Sequence, residues 1–285
     1  MESIIDKNIA ILCNPLAGAG KALICAEKLT AALLQKGIAH RLYKENWPNL
    51  LDSFTDIFIV GGDGTLNYFI NRYPGIQLPL VIFNGGTGND FQWLLYGDKS
   101  FEEQLQTALK EYPKPIDLGK CNERYFINGI GIGFEGEVVK ALSGKKKFSG
   151  KTSFFIMILK KIFTYRSKKY SIVSAQRSVS GKKFLIDISN GRRAGGGFHI
   201  APEARADDGL FDIIVINALG PFKRLVYLPV IEKGKHLQLS FIGFYRTKSI
   251  HIESDQPIQY HLDGEYFEAQ ELAIEILPSA MFFRF

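Results

Sequence analysis

Val60-Gly61-Gly62-Asp63-Gly64-Thr65-Leu66-Asn67 is the stretch on which the reading of this chain turns. It follows an apolar strand, Asp56-Ile57-Phe58-Ile59-Val60, and precedes a helix expected from Thr65 to about Arg72. A strand that breaks into three glycines around one carboxylate exposes backbone N–H groups, because glycine tolerates close approach and unusual φ. The helix N-terminus behind it adds partial positive charge, so the loop suits a polyphosphate. Asp63 in such a loop repels phosphate unless a cation or a hydrogen bond intervenes, which points to a metal-bound nucleotide. A plain strand-to-helix turn accounts for most isolated glycine pairs, but it leaves the central Asp without a reason.

Moving outward, Asn84-Gly85-Gly86-Thr87-Gly88-Asn89-Asp90-Phe91 repeats the pattern after the strand Leu80–Phe83. Two such loops after successive strands, each with an Asp, describe one composite phosphate and magnesium site. Asp117, after an extended Pro-Ile pair, offers a third carboxylate. Asn14-Pro15-Leu16-Ala17-Gly18-Ala19-Gly20-Lys21, after the strand Ile9–Cys13, has the look of a P-loop without being one. Pro15 stands where the first Gly belongs, and Ala22 replaces the Ser or Thr that would hold magnesium. Capping the next helix, expected over Ala17–Lys36, explains that loop equally well. With a strand at Ala39–Tyr43 and a helix over Phe101–Glu111, the order describes a parallel sheet covered by helices. Ligands bind beyond the carboxyl ends of such strands, so the three loops are expected along one edge.

Beyond Pro115–Gly119 the pattern changes. Tyr125–Ile130, Tyr170–Ser174, Phe184–Ser189, Phe198–Ala201, Phe211–Asn217, Ser249–Glu253, Gln259–Leu262 and Glu271–Ile276 read as strands, with one helical insert around Ser153–Phe163. The expectation is an α/β domain over 1–118 and a mainly antiparallel β-sandwich over 119–278, with 279–285 returning to the first. In that second part, Leu262-Asp263-Gly264-Glu265 reads by itself as an Asp-Gly hairpin turn. Gly195–Pro202 and Arg205–Asp212 read as bulges and turns.

The 285 residues can bury two cores, and 46% hydrophobic with 22% charged residues is an ordinary globular composition. No run approaches the ~18–20 apolar residues of a membrane span, and the N-terminus lacks the features of a signal peptide. Cys13, Cys25 and Cys121 are too widely spaced for a zinc site and odd in number, which fits a reducing cytoplasm. The five histidines show no paired ligand spacing. The net charge is +6, yet thirteen basic residues fall between Val138 and Ile186 with no acid among them, which leaves the rest of the chain at −7. Lys145-Lys146-Lys147, the apolar run Phe154–Leu159, and Lys160-Lys161 alternate in a way that fits an anionic membrane surface. A solvated face over a core helix is the plainer alternative, and no nucleic-acid motif accompanies the charge.

In order along the chain, the segments NPLAG at 14–18, GGDGTLN at 61–67, GTGNDF at 86–91, PIDLG at 115–119, DDGLFD at 207–212 and DGE at 263–265 resemble the diacylglycerol kinase catalytic-domain family, nearest to its bacterial diacylglycerol kinase and YegS-like lipid kinases. NAD kinases and phosphofructokinases share loops like GGDGT; GTGNDF and DGE are more selective. The resemblance implies ATP held by Asn14, Gly61, Gly62, Asp63, Gly64, Thr65, Leu66, Asn67 and Thr87. It implies that Asp63, Asp90 and Asp117 organise a magnesium–water network at a domain cleft. Glu265 would be the general base toward a lipid hydroxyl, with Asp63 beside it in the catalytic set. A second, structural magnesium would take the Asp208 carboxylate and the main-chain oxygens of Arg205 and Leu210. Gly88 stands where the family usually has Ala, and Tyr43 where relatives often place a nucleotide-contacting Thr. The implied function is an ATP- and magnesium-dependent lipid kinase, cytoplasmic and peripheral at the membrane. Diacylglycerol, phosphatidylglycerol and sphingoid bases all stay open as acceptors, and a homodimer is compatible with the chain. A soluble NAD kinase-type enzyme and a non-catalytic nucleotide or lipid sensor are the rivals.

Overall fold

A computed structural model describes residues 7–143 and 151–285, which divide into two compact units: Met1–Ile116 with Ser279–Phe285, and Asp117–Pro278. In the first unit β1 (Asn8–Cys13), β2 (Ala39–Tyr43), β3 (Asp56–Gly61) and β4 (Leu80–Asn84) form a parallel sheet in the order β4-β3-β1-β2. β3 is buried at every residue, which is why its sequence is an unbroken apolar run rather than an alternation. Helices α1 (Lys21–Gln35), α2 (Asp63–Arg72), α3 (Asp90–Tyr96) and α4 (Phe101–Lys110) cover it. Ala22, Ala26, Leu29 and Leu33 form the buried stripe of α1. Ser100 and Glu103 close α4 with a reciprocal capping box.

Residues 279–285 lie in the first unit, where Phe283 pairs with Leu80. Arg284 and Lys7 both reach the buried carboxylate of Asp56, at 2.5 and 2.9 Å. Tyr96 donates its hydroxyl to the Arg284 carbonyl at 2.8 Å. A buried carboxylate with two cations fixes the chain end in place, since removing either partner leaves an uncompensated charge.

Helix α1 begins at Lys21, not Ala17: Gly18, Ala19 and Gly20 all have positive φ and form a tight left-handed turn before it. Gly18 has no room for a side chain, because a Cβ there would lie 2.3 Å from the Gly85 carbonyl oxygen. The first loop is thus wedged against the third.

In the second unit, β5 (Pro113–Cys121, which begins in the first), β6 (Arg124–Phe126), β7 (Gly129–Gly133), β8 (Lys168–Ser174), β9 (Ser178–Ser189), β10 (Phe211–Asn217), β11 (Ile242–Thr247), β12 (Ser249–Leu262) and β13 (Glu265–Arg284) pair antiparallel. The long strands β9 and β12 each pair with β7 along one part and with β8 along another, so the sheet curls over itself. Alternation separates two cores. Ile213 and Val215 of β10 join Ile186, Ile188 and Leu272 inside the sandwich. Ile214 and Ile216 face the other way, toward Phe134, Val138, Ile158 and Ile162. That outer core is covered by α5 (Phe134–Leu142), α6 (Lys151–Thr164) and α7 (Pro221–Glu232).

The segment Phe198–Ala201, read above as a strand, makes only a single bridge between Ala194 and Phe198. Gly195, Gly196 and Gly197 before it all adopt positive φ, and three such residues in a row break the extended course of a strand. Cys13 and Cys25 have thiols pushed up to about 11, and Cys121 to about 12, chiefly by desolvation, which disfavours the thiolate at all three; Cys13 and Cys121 are buried packing groups.

Candidate functional site

The loops after β1, β3 and β4 converge at the carboxyl edge of the first sheet. Asn14 donates from its side-chain amide to Thr65 Oγ1 at 3.2 Å and accepts the Leu16 N–H at 3.2 Å, tying the first loop to the second. The second and third loops meet glycine against glycine: a Cβ on Gly86 would lie 2.3 Å from Gly62 Cα, and one on Gly62 would lie 2.5 Å from the Gly88 oxygen. The repeated glycines are therefore a packing requirement between the loops.

Asp63, the carboxylate at the centre of the motif, accepts the Asp90 N–H at 3.0 Å and the Phe91 N–H at 3.1 Å. Its own N–H donates to the Gly88 carbonyl at 3.2 Å. These bonds give the charge hydrogen-bond partners: Asp63 caps α3 from the neighbouring loop and compensates its N-terminus. A Cβ at Gly88 would stand 3.0 Å from Asp63 Oδ2, so the alanine usual in relatives would press on this clasp.

The other predicted residues divide by burial. Leu66 is wholly buried and Thr65 and Asn67 nearly so; any nucleotide contact by Leu66 is made through its backbone. Gly61 is packed on the Thr65 side chain. Gly64 alone in the motif faces open space, with nothing within 4 Å of where a Cβ would be. Thr87 is exposed. Beside Gly64 and Asn14 opens a pocket of about 700 Å³, also lined by Lys44, Trp47, Tyr68 and Arg72. Arg72 donates to the Tyr68 hydroxyl at 3.0 Å, the Trp47 carbonyl at 2.9 Å and Asn49 at 3.2 Å. Tyr43 is not among the lining residues; its ring packs edge-on to Phe54. The sequence reading missed Lys44, Trp47 and Arg72. The only local signal was the spacing of Tyr68 and Arg72 four apart on α2.

In the second unit Asp117 is buried and its carboxylate accepts the Gly209 N–H at 2.7 Å, while its N–H donates to the Ala206 carbonyl at 2.7 Å. It anchors the Arg205–Leu210 loop. There Asp208 accepts the Leu210 N–H at 3.1 Å and Arg205 pairs with Asp207 at 3.1 Å. A carboxylate beside main-chain carbonyls is a hard oxygen donor set of the kind magnesium takes.

Glu265 follows a two-residue turn in which Asp263 and Gly264 have φ of 47° and 88°, the signs a type I′ hairpin needs. Asp263 accepts three backbone N–H bonds at 2.9 Å, from Ile127, Asn128 and Gly129. The hairpin reading of DGE therefore holds, with Asp263 as the clasp of the turn and Glu265 as the first residue of β13 after it. Glu265 remains accessible, yet partial desolvation raises its carboxyl above the usual glutamate value; Arg124 opposes this and Asp263 adds to it. Nearby, a narrow apolar slot of about 60 Å³ runs between Phe134, Val138, Ile158, Phe184 and Leu228, with Glu135 and His261 among its few polar lining groups.

Residues 8–121 match the family described as the diacylglycerol kinase catalytic domain, and residues 128–283 match the YegS C-terminal NAD kinase beta sandwich-like domain. The chain belongs to this family of lipid kinases. A probable lipid kinase YegS-like protein of Yersinia pestis (strain Pestoides F) is 32% identical over 234 residues, covering 78% of this chain and 75% of the relative. A diacylglycerol kinase of Mycobacterium tuberculosis (strain H37Rv) is 26% identical over 289 residues, covering 96% and 93%. In fold, the kinase resembles a diacylglycerol kinase crystal structure from Bacillus anthracis, with a TM-score of 0.71 at 22% identity over 98% of this chain and 97% of that one. An NAD kinase from Archaeoglobus fulgidus in complex with ATP shares the fold more distantly, with a TM-score of 0.56 at 15% identity over 97% and 93%. The α/β unit and the β-sandwich of this lipid kinase are those the family calls for.

Proposed function

We propose that this kinase transfers the γ-phosphoryl group of ATP, with magnesium, to the hydroxyl of a membrane lipid, diacylglycerol or a related lipid alcohol. The observation that favours a lipid over NAD is the apolar slot of the second unit, whose walls offer methyl and aromatic groups and few polar ones. Such a wall stabilises an acyl chain by area removed from water, and it offers few groups to a second nucleotide, Glu135, Arg224 and His261 being its charged or titratable ones. At about 60 Å³ the slot is far too small for a whole chain, so entry requires α6 and α7 to part.

The first unit supplies the nucleotide end. Phosphates would lie against the backbone at Gly64 and the N-terminus of α2, the base and ribose in the pocket bounded by Trp47, Tyr68 and Arg72. Asp90 is the first unit's carboxylate for magnesium bound with nucleotide, and Asp117 is a carboxylate that the second unit offers to magnesium; Asp208 and the carbonyls of Arg205 and Leu210 are those for a structural ion. Bound magnesium neutralises phosphate charge during transfer. Asp63 contributes by holding the loops in register. Glu265, with its raised pKa, takes the acceptor proton as general base, worth roughly 10²–10⁴-fold.

Among the described residues no helix is long and apolar enough to cross a membrane. The proposed partner is instead the surface of an anionic bilayer, met by α6 and α7. Ile156 and Phe163 on α6, and Phe222 and Val226 on α7, are large apolar side chains open to solvent. Lys160 and Arg166 accompany them, each basic group adding on the order of 1 kcal/mol near anionic lipid. Part of the basic segment is committed elsewhere: Lys161 pairs with Glu137 at 2.8 Å, Lys140 with Glu268 at 3.4 Å, and Lys183 is buried. Lys145, Lys146 and Lys147 lie outside the described residues.

Two tests apply. Labelled phosphate should pass from ATP to a lipid alcohol in mixed micelles and not to NAD; the reverse preference sinks the lipid reading. Phe222→Ser with Val226→Ser should weaken binding to phosphatidylglycerol vesicles about tenfold or more, and unchanged binding removes these helices from the membrane contact.

A further inference from the structure

Next to the slot lies a chain of side chains that the phosphoryl-transfer reading leaves unused. His261, buried near the end of β12, is paired with Gly131 of β7. A Cβ on Gly131 would stand 2.0 Å from Glu135 Oε2 and 2.4 Å from His261 Nε2, so this glycine is what allows the two side chains to meet. They do so at 3.3 Å, with Glu135 projecting from the first turn of α5. On the other side of the ring, the Gly264 N–H lies 3.2 Å from His261 Nδ1. A backbone N–H only donates, so Nδ1 is the acceptor and carries no proton. The ring proton then sits on Nε2 and is donated to Glu135, the usual way a second partner selects a tautomer.

The Asp263-Gly264 turn is held at its carboxylate and at both of its backbone N–H groups. The Asp263 carboxylate takes three N–H groups, its own N–H goes to the Gly129 carbonyl at 3.0 Å, and the Gly264 N–H goes to His261. Only the last of these runs through a side chain that also lines the lipid slot. It acts one residue before Glu265.

We propose that His261 is a positioning residue for Glu265: oriented by Glu135, it fixes the Gly264 backbone and with it the aim of the base. This rests on Glu265 being the base. A carboxylate displaced by about 1 Å from its acceptor costs on the order of 100-fold in rate. Two substitutions separate the bonds of the ring. In His261→Asn the amide oxygen takes the place of Nδ1 and keeps the Gly264 bond while losing Glu135. In His261→Gln the amide nitrogen takes the place of Nε2 and keeps Glu135 while losing Gly264.

Steady-state kinetics should show kcat within about threefold of wild type for His261→Asn, and a loss of roughly 10–100-fold for His261→Gln, with the KM for ATP unchanged in both. In ¹H–¹⁵N spectra the Gly264 amide should keep its hydrogen-bonded shift in His261→Asn and lose it in His261→Gln. Equal activity of the two variants, high or low, overturns the proposal. So does an Nδ1–H tautomer in the imidazole ¹⁵N shifts of the wild type, a measurement that needs neither variant to fold. Should Glu265→Gln keep full activity, the base assignment fails, and the Gly264 amide shift still decides whether His261 holds the turn.

Discussion

Replacing Gly64 by Ala sets stability against binding in one residue. Gly64 is the second residue of α2, lies outside the left-handed φ region, and has nothing within 4 Å of a new methyl group. Alanine there lowers the entropy of the unfolded chain and should stabilise the first unit by about 0.5–1 kcal/mol. For a domain of this size that is a rise of about 2–5 °C in Tm, measurable by calorimetry. The same methyl would occupy the space into which phosphates must come to reach the backbone. Loss of about 1–3 kcal/mol of ATP binding, or roughly 5–150-fold in Kd, should accompany the gain. Gly86→Ala is the contrast. Its methyl would lie 2.3 Å from Gly62 Cα, backbone that cannot rotate away, so overpacking should cost about 1–3 kcal/mol of stability. A Gly64→Ala protein that melts higher and binds ATP as wild type does would refute the loop as a phosphate cradle. One that melts lower would refute the open geometry.

Asp263→Ala should lower stability by about 2–4 kcal/mol, because three backbone N–H groups lose a charged acceptor together, and urea unfolding measures it. Glu265→Gln should lower kcat by roughly 10²–10⁴-fold with the KM for ATP unchanged. In the wild type the raised pKa of Glu265 keeps the base protonated until higher pH, so the acid limb of kcat should fall above the usual glutamate value of about 4.3 and vanish in the variant. Asp187 is buried, and desolvation, then the Glu135 charge, raises its pKa well above the aspartate value. Its contribution to stability is therefore full at acid pH and lost as pH rises through its folded pKa. Asp187→Asn, which cannot ionise, should gain in Tm relative to wild type as the buffer is taken from pH 6 to pH 9; a difference independent of pH would mean that Asp187 is not held neutral in the fold.

The parallel half of the fold was readable because β1, β3 and β4 are buried along nearly their whole length and so appear as unbroken apolar runs. The helices missed each lack a usable signal. α3 has seven residues, too few for a period, and is held by a carboxylate from another loop. α5 carries Gly136 where a Cβ would lie 2.2 Å from the Gln259 oxygen, so close packing put a helix breaker in its first turn. α7 contains Pro229. At the site, the glycine motifs were legible as motifs, but their purpose was not. That Asp63 clasps the next helix, and that Gly62, Gly86 and Gly88 interlock, are facts about residues more than twenty apart, which no local pattern encodes. Trp47 and Arg72 converge on Gly64 only through the sheet order.

The most direct test of the account incubates the protein with labelled ATP, magnesium and a panel of lipid alcohols in mixed micelles, with soluble NAD as a competing acceptor and Glu265→Ala as control. The account predicts transfer to a lipid hydroxyl that is abolished in the variant and absent with NAD. Phosphorylation of NAD in place of every lipid, or lipid phosphorylation undiminished in the variant, would contradict it.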